Sequence, residues 1–235
     1  GVVTFLACAA FNPSGAGATM NIEYGTAAGG TNRVTNPAVA GNYVIPIAGT
    51  FGDTGQFAVV IIANDQVAVT ATVDPSITFT ISANLTAFGT LAVGAVTTSA
   101  PNITLTIGTN SANGYTITVK DEGSGVNPGL YNAAALHIIG SADAAFSDTS
   151  ALVGGTEGYG LQASSAGATI GARFNNGGDT VGGLEVTGAP PTLASHNTSM
   201  GADHTITVIH KAAIGSWTSA GSYTDTITYI ATGNF

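Results

Sequence analysis

Ile103-Thr104-Leu105-Thr106-Ile107 and, past a turn signal at Asn113-Gly114, Tyr115-Thr116-Ile117-Thr118-Val119 alternate apolar and threonine side chains without a break. A period of two places Ile103, Leu105 and Ile107, and likewise Tyr115, Ile117 and Val119, on one face of a strand. The Asn-Gly pair supplies the positive backbone angles of a tight turn. The pattern recurs outward in both directions. Ile77, Phe79 and Ile81 share a face opposite Thr78 and Thr80, and residues 205–210 form another such run. In the closing run, 223–232, Tyr223, Ile227 and Tyr229 interleave with Thr224, Thr226, Thr228 and Thr232.

Less regular runs at 19–24, 43–47, 158–164 and 168–174 are also expected to be strands. Residues 57–63 and 67–73, around Asn64-Asp65-Gln66, read as a hairpin, with Val67, Val69, Ala71 and Val73 on one face. Val, Ile, Thr, Phe and Tyr are spread through the chain, whereas Leu, Lys, Glu, Arg and Gln are scarce. The first group suits strands and the second helices. The fold class expected is all-β, an Ig-like or jelly-roll β-sandwich preceded by an N-terminal extended strand. Asp74-Pro75 is the best boundary signal. It divides a main sandwich, 75–235, from a first β region, 18–74, and an N-terminal segment with its hinge, 1–17.

Only 7% of the 235 residues are charged, against roughly 25% in ordinary soluble domains. The basic residues are Arg33, Lys120, Arg173 and Lys211, and the net charge is −9. A nucleic-acid footprint and a polybasic lipid patch are thereby excluded. A surface built from Thr, Ser, Asn, Gly and Ala suits a chain packed against copies of itself. No apolar run approaches the roughly 20 residues of a membrane span. The first residue is Gly1 rather than Met, which is expected of a chain whose leader has been removed on export. Cys8 has no second cysteine to pair with.

Residues 1–11 are apolar on both faces, with Val3, Phe5, Ala7, Ala9 and Phe11 on one and Val2, Thr4, Leu6, Cys8 and Ala10 on the other. That suits a strand buried on both sides. A short helix fits the spacing as well, and Asn12-Pro13 would end either. As a strand, the segment is a candidate to be donated to a neighbouring subunit, through Val2, Val3, Phe5, Leu6, Ala7, Ala9 and Phe11.

Constellations for chemistry are sparse. His204 and His210 lie on one strand face but about 20 Å apart, too far to share an ion. His196 with Asp203 and His204 would meet only if the intervening loop folds back, so these read as surface loop residues. His137, between Leu136 and Ile138, reads as a core or interface histidine. Asp121-Glu122-Gly123-Ser124-Gly125 reads as an acidic turn rather than a calcium loop, and Asp143 and Asp148 carry a weaker version of the same signal. Residues 154–160 have the glycine density of a nucleotide loop but no strand–helix context and no P-loop lysine. No nucleophile elbow appears, and one tryptophan, Trp217, with scattered tyrosines does not line a sugar-cleaving cleft. Lys120 and Lys211, both at strand ends, are the positions from which an isopeptide bond to an Asn would be built. No catalytic, metal or cofactor site is expected. Asn84, Asn102 and Asn197 open Asn-x-Ser/Thr sequons, acceptors for glycans in a host that attaches them.

Residues 85–91, Leu-Thr-Ala-Phe-Gly-Thr-Leu, with the runs at 103–107 and 115–119, resemble the early strands of spore-coat-protein-U-like pilins. Residues 220–229, Ala-Gly-Ser-Tyr-Thr-Asp-Thr-Ile-Thr-Tyr, resemble that family's terminal strand. The family's cysteine pair is absent and residues 1–74 have no counterpart in it. The resemblance implies Ig-like subunits of secreted chaperone–usher fibres. The expectation is therefore a secreted, cell-surface structural subunit, without enzymatic activity, that polymerises head to tail with itself by strand donation. The alternative is a secreted adhesin or carbohydrate-binding β-sandwich module, for which only Trp217 and a nearby Tyr offer an aromatic platform. A type IV pilin is excluded because position five is Phe5 and the apolar run stops at Phe11.

Overall fold

The computed structural model describes residues 37–48, 54–64, 66–142 and 149–235. The chain divides into two compact units, Gly1–Ala71 and Thr72–Phe235. The expected strand at 19–24, residues 1–17 with Cys8, and Asp143 and Asp148 lie outside the described residues.

In the first unit β1 (Gly41–Ala48) and β2 (Thr54–Ile61) form an antiparallel pair, with Gly41 opposite Ile61 and Ala48 opposite Thr54. Pro46 within β1 has no N–H to donate, which a strand at a sheet edge tolerates. This pairing corrects the expected hairpin. Residues 57–61 belong to β2, but their partner is β1. Residues 66–76 carry no ladder among the described residues and are exposed throughout.

The second unit is the sandwich. One sheet has the order β3 (Ile77–Ile81), β5 (Ile103–Thr109), β14 (His204–Ala213), β10 (Gly158–Ser165), β12 (Thr180–Gly182), β9 (Thr149–Ala151), with β4 (Val96–Thr98) continuing beyond β5 along β14. The facing sheet is β11 (Thr169–Ile170), β13 (Thr192–His196), β6 (Tyr115–Asp121), β15 (Ile227–Gly233). A small pair, β7 (Gly129–Asn132) and β8 (His137–Gly140), stands apart. All ladders are antiparallel.

The alternating runs put one side chain in two between the sheets. Leu105, Ile107, Tyr115, Ile117, Val119, Leu161, Leu193 and Ile206 have no exposed surface. Each large apolar side chain buried this way contributes about 1.5–3 kcal/mol before chain entropy is counted. The two strands around Asn113-Gly114 do not pair with each other: β5 binds β3 and β14, whereas β6 binds β13 and β15. The Asn-Gly turn is thus an arch from one sheet to the other. Gly114 holds φ +69° there, and a Cβ would run into the His196 carbonyl.

Two expected strands are shorter than their patterns. Of residues 168–174 only Thr169–Ile170 is strand, because the chain turns back as Phe174 N–H donates to Gly171 C=O (2.8 Å). The last strand starts at Ile227, since residues 223–226 are diverted to β7, where Tyr131 and Thr224 exchange backbone bonds of 2.8 and 3.0 Å.

Candidate functional site

At one end of the sandwich the sheets part and leave a cleft of about 1070 Å³. One wall is the loop from Ala83 to Leu91 that follows β3; the other is a lip, residues 218–225, leading into β15. Ile81, Ile103, Ile139, Ile214 and Ile227 give it apolar walls, interleaved with Thr, Ser and Asn side chains. The lip is held from outside. Glu157 Oε1 takes hydrogen bonds from His137 Nε2 (2.8 Å) and the Thr218 hydroxyl, and the Tyr223 hydroxyl donates to Ser219 C=O (2.8 Å). Trp217, immediately before the lip, is 93% exposed.

The floor is polar. Tyr159, at the start of β10, and His210, on β14, stack with centroids 6.1 Å apart, and the Tyr159 hydroxyl lies 3.1 Å from His210 Nδ1. From the opposite sheet the Tyr229 hydroxyl reaches His210 Nε2 at 3.5 Å. Burial pushes the His210 pKa down to about 4, so the ring is neutral at pH 7. One nitrogen then donates and the other accepts, and both are committed to tyrosines. Burial, reinforced by Asp225 and Asp121, holds the Tyr159 hydroxyl well above the usual tyrosine range; burial, then Asp225, raises Tyr229.

Beneath the lip two carboxyls meet. Asp225 Oδ1 accepts the N–H groups of Gly123 (3.0 Å) and Thr226 (2.8 Å), and Asp121 Oδ2 accepts that of Gly129 (3.0 Å). Their remaining oxygens, Asp121 Oδ1 and Asp225 Oδ2, are buried, with each carboxyl beside the other and the Tyr159 hydroxyl next to Asp225. One proton shared between the carboxyls satisfies both. Asp121 is 1% exposed, and its pKa is pushed up to about 9, by burial first and then by the Asp225 charge and hydrogen bond. Neither this pair nor the Tyr–His–Tyr chain was foreseen. The partners are 104 and 51 positions apart respectively (225 − 121 and 210 − 159), and the outward signal was confined to an acidic turn and a histidine on an apolar face.

Comparison with protein-family models, curated proteins and solved structures finds no match.

The residues singled out from sequence fall as follows. The donor residues Val2, Val3, Phe5, Leu6, Ala7, Ala9 and Phe11 lie outside the described residues. His196 and His204 are not loop residues: they close β13 and open β14, with rings 4.6 Å apart and edge to face, and His204 Nδ1 is 3.1 Å from the Tyr115 hydroxyl. They cap the opposite end of the core from the cleft. His137 is half-buried and paired with Glu157 rather than set in the core. In the Asp121–Gly125 turn the Gly123 N–H donates to Asp225, and the Asp121 carboxyl accepts the Gly129 N–H. Among the described residues no group of three or more His, Cys, Asp or Glu is arranged to hold a metal. Lys211 is ion-paired with Asp179 (2.9 Å), and Lys120 is exposed. Asn84, Asn102 and Asn197 are all exposed, Asn84 on the cleft wall. Among the described residues no helix is long and apolar enough to cross a membrane.

Proposed function

We propose that this chain is the structural subunit of an extracellular filament in which each copy donates a β-strand to the next. The carrying observation is the cleft, where a packed sandwich opens between apolar walls, over a polar floor, that a further strand would cover. Its flanking strands, β3 and β15, are sheet edges made of Ile, Thr, Tyr, Phe, Ala and Gly. Edges that stay in water are usually guarded by charge, Pro or a bulge; these carry no charge or Pro. Of the stretches that resemble pilin strands, 85–91, Ile103 and 220–229 border the cleft, whereas 115–119 does not. The scarcity of charge over the chain agrees with a surface that is mostly covered in an assembly.

Negative-stain microscopy of the native cell-surface material tests this reading. Filaments built of this chain are the expected result; dispersed single particles under all conditions would refute it. One observation favours a second reading, a carbohydrate-binding module. Trp217 presents a nearly bare indole beside the cleft, a surface on which a sugar ring could stack. Saccharide binding abolished by Trp217→Ala would establish that reading instead.

A further inference from the structure

We propose that residues 66–73 are the strand with which one copy of this chain fills the cleft of the next; the assignment rests on the strand-donation reading above. Val67, Val69 and Val73 are 88%, 89% and 81% exposed, and every residue from 66 to 76 is exposed. A run of alternating valines left in water without a ladder is a strand lacking its sheet. Its two faces differ. Val67, Val69, Ala71 and Val73 form one, and Gln66, Ala68, Thr70 and Thr72 the other. A cleft open on its outer side needs such a strand, apolar inward and tolerant of water outward. Residues 1–11, apolar on both faces, would leave Val2 and Leu6 in water there.

The topology sets the direction. Ser76 N–H donates to Asn110 Oδ1 and Asn110 Nδ2 donates to Asp74 C=O, both at 2.8 Å. These bonds carry the chain past Thr109, the partner of Ile77, at the end of the sandwich marked by the Asn113-Gly114 arch. The cleft lies at the other end, near Ile81, Ile103 and Ile227. Residues 74–76 thus enter the sandwich at the end opposite its cleft, and we assign the cleft that the strand fills to a second copy. A donor at one end and an acceptor at the other make a head-to-tail contact that does not close on itself, as a fibre requires. At about 3.3 Å per residue, eight residues span about 26 Å, enough to lie along the flanking strands. Neither partner carries a Lys or Arg, His210 is neutral, and Asp225 is the one acidic residue among those described around the cleft. The match is therefore apolar rather than electrostatic.

The experiment uses the full chain and compares three variants with wild type by sedimentation and negative-stain microscopy: Val67→Asp with Val69→Asp, Ala68→Asp with Thr70→Asp, and a deletion of residues 1–11. Circular dichroism checks folding, and the substituted side chains are exposed, so the sandwich is expected to survive. The assignment expects loss of sedimentable polymer for the valine pair alone, with restored binding when a peptide of wild-type sequence 66–73 is added to the folded monomer. Polymer formed normally by the valine variant, or lost on deleting 1–11 while the valine variant assembles, overturns the assignment and leaves the filament reading standing. Loss in both aspartate pairs overturns the division of faces. A wild-type chain that forms no polymer refutes the filament reading itself, whatever the variants do.

Discussion

Replacing Asp121 by Asn should change the pH dependence of stability in a defined way. The native Asp121 carboxyl holds its proton up to about pH 9, against an ordinary value of 3.8, because it is buried beside Asp225. A carboxyl whose folded pKa is raised stabilises fully below its unfolded value, and that contribution is lost as pH climbs to the folded value. Within the window the native state binds one extra proton, and each pH unit costs about 1.4 kcal/mol. His210 acts in the opposite sense. Its pKa falls from 6.5 to about 4 on burial, so its neutral form stabilises above pH 6.5 and that stability is lost as pH drops towards 4. Between about pH 4 and 6.5 the two slopes offset each other; above 6.5 the Asp121 slope stands alone. The wild type should hold a plateau on the acid side and lose on the order of 2 kcal/mol from pH 7 to 9, a urea midpoint lower by about 1 M. In Asp121→Asn the amide donates to the Asp225 carboxylate and its carbonyl still accepts the Gly129 N–H, with no proton to lose. That variant should be level from pH 7 to 9 and weaken below 6.5. Urea melts at pH 5, 7 and 9 decide the matter, and parallel curves for the two proteins would refute the shared proton.

Other substitutions should behave as follows. Gly114→Ala must place a Cβ in a left-handed conformation against the His196 carbonyl, and should cost about 1–3 kcal/mol, read as a lowered thermal midpoint; an unchanged midpoint would contradict the arch geometry. Leu105→Ala empties a fully buried position opposite Ile206 and should cost about 2–5 kcal/mol in denaturant melts. Trp217→Ala should leave stability within about 0.5 kcal/mol of wild type, since the side chain stands in water; a larger loss would mean the indole is covered.

The strands that could be read from sequence were those whose apolar residues are large and alternate over five or more positions. The 77–81 pattern coincides with β3, and those at 103–107, 115–119 and 205–210 fall inside β5, β6 and β14; the less regular run at 158–164 falls inside β10. Missed were short strands carrying little apolar bulk. β13 shows a single large apolar residue, Leu193, after Pro190-Pro191, and β12 has only Val181 between Thr180 and Gly182. Which strands pair was less legible than where they lie. Residues 67–73 alternate as well as any strand, yet alternation records an apolar face and not the surface that covers it. The cleft was hidden because its walls are loops, and the carboxyl pair because each acid looks ordinary until folding removes water from both.

Trp217 is the only tryptophan in the chain, and Thr218 beside it forms part of the cleft wall. On excitation beyond the tyrosine absorption band, the intrinsic emission of this protein therefore comes from one water-exposed indole beside the cleft. Anything that enters the cleft and displaces solvent from that ring should shift its emission to shorter wavelength and shield it from a dissolved quencher. Cleft occupancy can then be followed in solution, in real time, without attaching a label.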